Sequence, residues 1–248
     1  MFSVYKGKTV LITGHTGFKG SWLTVWLHQL GAKVIGISWD VPSSPSNFNN
    51  SSEMLLEKDY RIDIRESEKV KRIIQEHEPD FVFHLAAQAL VRPSYEFPLE
   101  TLSINSIGTA SIMDALRTVI KPTVAVMITS DKAYDNVEWV WGYRETDKLG
   151  GKDPYSASKG MAELVIRTYI ESYFSGQDSI VKVGVARAGN VIGGGDWALD
   201  RIVPDCVKAW SKKHSPKIRN KYATRPWQHV LEPLSGYLKL AIELEINK

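Results

Sequence analysis

Residues 9–20 read TVLITGHTGFKG, an apolar β-branched run that breaks into three glycines spaced three apart, Gly14, Gly17 and Gly20. The run 9–13 has the near-continuous hydrophobicity of a strand buried on both faces of a parallel sheet. Residues 20–30 follow as a helix, with Trp22 and Trp26 four apart on one side, placed to pack helix against sheet. A glycine-lined turn entering a helix brings backbone N–H groups and the positive end of the helix dipole up to a pyrophosphate. The spacing alone also fits an ordinary glycine-rich turn; its place between strand and helix favours the ligand-binding reading.

Working outward, short β-branched runs keep alternating with amphipathic segments, the mark of βαβ units. KVIGIS (33–38) is the second strand, and 42–52, rich in Pro, Ser and Asn, reads as a surface loop. Strands are expected at 60–64, 80–85, 123–129 and 180–186, and helices at 66–76, 99–118 and 156–174. Past Arg187 the pattern changes: 189–197 is glycine-rich, and 202–213 and 234–246 look helical among Pro204, Pro216, Pro226 and Pro233. The expected architecture is α/β. It has a doubly wound parallel Rossmann-type sheet in residues 1–187 and a smaller C-terminal substrate-binding lobe in 188–248.

Composition sets limits on this. Of 248 residues, 43% are hydrophobic and 24% charged, which excludes disordered and fibrous chains. A net charge of +3 is too mild to imply nucleic acid or a membrane surface, and the basic stretch 208–221 reads as a solvated face. Cys206 is the sole cysteine, so an intramolecular disulfide and a multi-cysteine zinc site are excluded, and it reads as a small buried hydrophobe. No apolar stretch approaches the roughly 20 residues of a membrane span, and the first residues lack the apolar core of a signal peptide. A soluble, cytoplasmic protein without a metal site is expected.

Several residues are candidates for chemistry. Asp40 ends the second strand, 20 residues past Gly20, where a dinucleotide fold sets a carboxylate against the adenosine ribose. It would repel a 2′-phosphate, favouring NAD over NADP, although a solvated turn residue is the other reading. Asp63, after the third strand, is a candidate for the adenine amine, and His15 is expected to line the phosphate turn. Tyr155 and Lys159 stand four apart behind Pro154, which places both on one helix face unless the pair is incidental. A free phenol titrates near pH 10, so a base at neutral pH needs roughly three units of depression, from a nearby cation and a charged cofactor ring. Thr129-Ser130-Asp131-Lys132 closes the fifth strand, where such sheets place chemistry, though a Ser-Asp turn is also a common strand exit.

Six segments occur in the order seen in extended short-chain dehydrogenase/reductases: TGHTGFKG (13–20), HLAAQ (84–88), TSDKAY (129–134), YSASK (155–159), ARAGNVIGGGDWALDRIVPD (186–205) and TRPWQHVLEPL (224–234). The chain resembles that superfamily, the NAD-dependent epimerase/dehydratase family, over nearly its whole length. TSDK with the last two segments looks specifically like the branch of 4,6-dehydratases that act on CDP-glucose. The resemblance implies a hydro-lyase that holds NAD and converts CDP-D-glucose to CDP-4-dehydro-6-deoxy-D-glucose and water. It implies a cofactor cradle of Gly14, Thr16, Gly17, Phe18, Lys19, Gly20, Asp40, Asp63, Ile64, Leu85, Ala86 and Ala87, joined by Tyr155 and Lys159. Tyr155, assisted by Ser130 and Lys159, would take the C4 hydroxyl proton, Asp131 would be the acid at C6, and Lys132 the base at C5. Asn190, Arg201 and Arg225 would lie near the nucleotide diphosphate.

Lys132 stands where the dTDP-glucose dehydratases carry glutamate, so this base must be a neutral amine, and Asp131 and Lys132 are expected to titrate as a pair. An epimerase or reductase, a dehydratase of dTDP-glucose or GDP-mannose, and a non-catalytic NAD-binding sensor or scaffold are the rival readings. The resemblance also implies a homodimer or higher homo-oligomer through helices 99–118 and 156–174, without nucleic-acid or membrane partners. Relatives of this kind run longer, so the chain is expected to be cut short within its lobe, with part of the nucleotide pocket missing.

Overall fold

Six parallel strands form where the short apolar runs lie: β1 (Thr9–Thr13), β2 (Lys33–Ser38), β3 (Lys58–Arg61), β4 (Phe81–His84), β5 (Thr123–Ile128) and β6 (Val181–Ala186). In the computed structural model, which describes residues 2–246, their order is β3-β2-β1-β4-β5-β6. The order reverses between β1 and β4, where doubly wound sheets open a crevice at the carboxyl ends of their strands. Helices α1 (Phe18–Gln29), α2 (Asn47–Ser51), α3 (Ser67–His77), α4 (Val91–Glu96), α5 (Pro98–Leu102), α6 (Gly108–Leu116) and α7 (Pro154–Tyr169) connect them. Beyond the sheet, β7 (Asn190–Ile192) pairs in parallel with β8 (Trp227–His229), flanking α8 (Ile202–Ser211), and α9 (Leu231–Ile246) follows.

Strand alternation divides the core into two layers. Val10, Ile12, Phe81, Phe83, Val124 and Val126 face α1 and α9. Leu11, Ile35, Val82, Ala125 and Met127 face α3, α6 and α7. Trp22 and Trp26 pack against the first layer, as expected from their spacing. That layer also takes in Val230, Leu234, Leu238 and Ala241, so the chain beyond Arg187 is not all lobe. Its last helix returns to cover β5 and β6, and the Tyr5 hydroxyl donates to the Leu238 carbonyl at 2.7 Å.

Three local expectations are amended. The stretch 42–52 is not all loop: Ser46 caps α2, its Oγ accepting from the Phe48 N–H at 3.1 Å, and the burial of Phe48 holds that turn in place. The third strand ends at Arg61, which leaves Asp63 and Ile64 in the turn beyond it. The helix at 99–118 is interrupted by a wide π-type turn, Ser103–Ile107, and the one at 156–174 ends in another, Ile170–Phe174. Among the described residues no helix is long and apolar enough to cross a membrane.

The β1–α1 turn is closely packed. A methyl group on Gly20 would lie 2.1 Å from the Gly14 carbonyl oxygen. Gly20→Ala is therefore expected to lower the melting temperature by roughly 2–12 °C, from about 1–3 kcal/mol of overpacking at 2–4 °C per kcal/mol. Thermal melts followed by circular dichroism measure this directly, and an unchanged midpoint would contradict the packing of α1 on the turn.

Candidate active site

The glycine turn presents backbone where side chains would otherwise stand. Gly14 has φ +75°, and a Cβ there would sit 2.7 Å from the Ala86 nitrogen at the exit of β4. Gly17 occupies the N-cap of α1, and no side chain caps that first turn, the kind of helix start that can present its N–H groups to an anion. Leu85, Ala86 and Ala87 border the turn: the Leu85 N–H donates to the Thr13 carbonyl at 3.0 Å and the Ala86 N–H to Thr13 Oγ1 at 3.2 Å. Thr16 Oγ1 donates to the Asp40 carbonyl at 2.6 Å, tying the exit of β2 to the turn, while the Asp40 side chain is exposed. The Asp63 carboxylate is already engaged by Arg65, through Nε at 2.9 Å and the backbone N–H at 2.8 Å. Burial raises the pKa of Asp63, but those bonds outweigh it and hold the group below the usual carboxylate range.

His15 does not line the phosphate turn. Its ring is buried behind it, filling the slot opposite Gly36, with Nε2 2.9 Å from Asp59 Oδ1 and its edge against Phe48. Burial pushes its pKa down, against the upward pull of Asp59. The residue braces the turn from inside.

At the carboxyl ends of β5 and β6 the second group of residues converges. Asp153 caps α7, accepting from the Ser156 N–H at 2.9 Å, and Pro154 occupies the first helical position. Tyr155 and Lys159 are both buried on the helix face that meets the 130–133 turn. There the Ser130 hydroxyl donates to Asp131 Oδ1 at 3.0 Å and accepts from the Lys132 N–H at 3.2 Å. Burial raises the Tyr155 phenol above its ordinary value, the Ser130 hydroxyl opposes this, Asp131 adds to it, and Arg201 opposes it. The expected depression is thus not a property of the Tyr155/Lys159 pair by itself, because desolvation of the phenolate outweighs the local cations.

Two lysines share the crevice. Burial lowers Lys159 to about 8, with Glu163 pulling the other way. Burial, then the cations Lys159 and Arg201, lower Lys19 to about 7, and its Nζ donates to the Tyr237 hydroxyl at 3.2 Å. Behind them, burial holds His84 at about 3, between Thr13 Oγ1 at 2.7 Å and Thr109 Oγ1 at 3.1 Å. Asn105 Nδ2 donates to Ser158 Oγ at 2.7 Å and anchors the start of α7.

The residues expected near a diphosphate divide. Arg201 is held by Asp196 at 2.8 Å and acts electrostatically on both Lys19 and Tyr155. Asn190 lies half-buried on β7, while Arg225 is exposed and donates to the Thr224 carbonyl. The glycine-rich segment is pinned beside α1 by the Trp22 indole, which donates to the Gly194 carbonyl at 2.9 Å. A cavity of about 240 Å³, lined by Ile192, Asp196, Trp197 and Val203 among others, opens next to it. Cys206 is half-buried on α8, and among the described residues no cluster of three His, Cys, Asp or Glu side chains could hold a metal ion. Sequence reasoning missed the Glu163–Arg187 pair beneath Lys159, because its members lie 24 residues apart with no motif to join them.

Lys19 carries a measurable signature. An unfolded lysine titrates near 10.5 and Lys19 in the fold at about 7, so between those values the unfolded chain binds more protons and stability rises with pH. The destabilisation from Lys19 is complete below pH 7 and is relieved as pH rises from there. Lys19→Met is expected to raise the melting temperature relative to the parent more at pH 6 than at pH 9. An equal offset at the two pH values would contradict the buried amine.

Comparison with known proteins agrees with this geometry. Residues 11–243 match the family described as GDP-mannose 4,6 dehydratase. A CDP-glucose 4,6-dehydratase from Salmonella typhimurium is 50% identical over 243 residues, 97% of this chain and 68% of the relative. A GDP-mannose 4,6-dehydratase from Vibrio cholerae is 30% identical over 67% of this chain, a match that spans 46% of that relative. Among solved structures, the epimerase Mth375 of Methanothermobacter thermautotrophicus is similar with a TM-score of 0.82 and 25% identity, over 97% of this chain and 70% of that one. With the match covering almost the whole chain and the crevice carrying the motifs in place, the chain belongs to the GDP-mannose 4,6 dehydratase family.

Proposed function

We propose that this chain carries the cofactor-binding and catalytic part of an NAD-dependent hydro-lyase that converts CDP-D-glucose to CDP-4-dehydro-6-deoxy-D-glucose and water. The observation that carries the reading is one crevice holding the glycine turn, the buried Tyr155 and Lys159, and the Ser130-Asp131-Lys132 turn. The preference for CDP-glucose over dTDP-glucose or GDP-mannose is supported by the 50% identity to a protein of that activity.

NAD fits the residues present. The glycine turn, in which Gly14 lets the backbone pass close to Ala86, and the first turn of α1, which no side chain caps, suit a pyrophosphate, with Thr16, Phe18 and Lys19 around it. Asp40 would accept from the adenosine ribose, Asp63 and Ile64 would border the adenine, and Lys159 would hold the nicotinamide ribose. When bound, NAD supplies a site that accepts a hydride from the sugar and later returns it.

The remaining chemistry belongs to the side chains. Tyr155 takes the proton of the C4 hydroxyl as C4 is oxidised, with Ser130 holding the same oxygen and Lys159 stabilising the tyrosinate. The resulting ketone acidifies the C5–H bond. Lys132 takes the C5 proton while Asp131 gives a proton to the departing C6 hydroxyl, so water leaves and a C5–C6 double bond forms. An epimerase or reductase at C4 needs no such elimination acid, and the Asp131-Lys132 couplet favours the dehydratase. Asn190, Arg201 and Arg225 are assigned to the diphosphate, Arg201 with the strongest support because of its place beside Lys19. The exposed Leu99, Ile107, Met161 and Leu164 fit a homodimer face on α5 to α7, and the single cysteine fits a reducing, cytoplasmic setting.

Incubation with CDP-glucose, dTDP-glucose and GDP-mannose is expected to give a 4-keto-6-deoxy product fastest from CDP-glucose. No product from any of the three, despite bound NAD, would favour a sensor or scaffold. Tyr155→Phe is expected to lower kcat by about 10²–10⁴-fold. In heavy water, Lys132→Met is expected to lose deuterium exchange at C5, and full exchange would remove Lys132 as the base.

A further inference from the structure

One buried carboxylate joins four segments of the site. Glu163 stands one turn beyond Lys159 on α7 and is buried. Arg187, just past the end of β6, grips its two oxygens with Nε at 2.8 Å and Nη2 at 2.9 Å. The hydroxyl of Thr129, the residue before Ser130, donates to the same carboxylate. Arg187 also lies 4.7 Å over the Tyr134 ring and donates to the Glu145 carbonyl at 3.1 Å. The exits of β5 and β6, the catalytic helix and the loop after residue 133 therefore meet at one ion pair.

A buried ion pair is not retained for stability alone, since its desolvation offsets much of the attraction. Its position suggests what it does here. The charged and titratable groups around Lys159 are Lys19 from α1, His84 from β4, Asp131 and Lys132 from the turn after β5, and Tyr155 and Glu163 from its own helix. Lys19 repels it, His84 is neutral above about pH 3, and Glu163 supplies the attraction.

We propose that Glu163, clamped by Arg187, is a positioning residue for the reaction: it seats the 129–132 turn against Tyr155 and keeps Lys159 charged. This rests on the dehydratase reading of the same site. Burial brings Lys159 to about 8 even with Glu163 in place. Without the carboxylate charge, Lys159 gives up its proton at a lower pH.

Two variants separate charge from shape. Glu163→Gln keeps the size and loses the charge, whereas Glu163→Asp keeps the charge and shortens the reach. With CDP-glucose, the alkaline limb of the kcat/KM profile is expected to move down by half a pH unit or more in Glu163→Gln and to stay in place in Glu163→Asp. Melting temperatures give a readout independent of turnover. The deficit of Glu163→Gln against the parent is expected to be larger at pH 6.5, where Lys159 is protonated, than at pH 9, where the lost attraction no longer counts. Glu163→Asp is expected to show the same deficit at both. If Glu163→Gln does not fold, Glu163→Gln combined with Arg187→Met leaves no unpaired charge and is expected to show the same pattern. An unmoved alkaline limb together with a pH-independent deficit in the Gln variants would overturn the proposal. A parent enzyme without turnover on any nucleotide sugar, but with the pH-dependent deficit, would overturn the dehydratase reading and leave the coupling of Glu163 to Lys159 standing.

Discussion

The absence of two methyl groups, at Gly14 and Gly20, is the constraint on which the rest of the molecule depends. Without a side chain at Gly14, the exit of β1 turns at φ +75° and passes within 2.7 Å, measured from a would-be Cβ, of the Ala86 nitrogen that follows β4. Without one at Gly20, α1 sits down on the Gly14 carbonyl and its first turn points into the crevice. The direction of α1 then carries Lys19 toward Tyr237 and Trp22 toward Gly194. A fold that binds a pyrophosphate through backbone must first remove the side chains that would occupy the same space.

The sheet order does the second part of the work. Placing β4 beside β1 and β5 beside β4 brings the 85–87 turn, the 130–132 turn and the start of α7 to one edge, although they are widely separated in the chain. The result is a crevice in which Lys159 and Arg201 both repel Lys19, and that repulsion adds to burial in lowering it. Such a cluster suits ligands that bring negative charge, as a dinucleotide and a nucleotide sugar both do. The Glu163 carboxylate is the counterweight inside the protein, and Arg187 keeps it from being a lone buried anion.

Much of this was legible in the sequence because it is written in local patterns. Buried parallel strands are apolar on both faces, so 9–13, 33–38 and 123–128 stand out, and glycines between a strand and a helix mark a turn. The Tyr155/Lys159 spacing and the 130–132 triplet also depend only on neighbours in the chain. What was not legible depends on distant partners. The Asn- and Ser-rich 42–52 stretch hides α2, because Phe48 is held by burial and not by helix propensity. His15 reads as a phosphate-lining residue until Asp59 and the slot opposite Gly36 claim its ring. The helical pattern near 234–246 says nothing of where that helix packs, and only the fold returns it to the central sheet. The lowered pKa of Lys19 needs Lys159 and Arg201 close at hand, which no spacing rule supplies.

The central claim is that one crevice oxidises C4 of the sugar, eliminates water across C5 and C6, and gives the same hydride back at C6. CDP-glucose labelled with deuterium at C4, turned over in ordinary water and read by NMR of the product, tests it most directly. The deuterium is expected in the C6 methyl group, with a solvent proton at C5. Deuterium remaining at C4 or lost to solvent would contradict it.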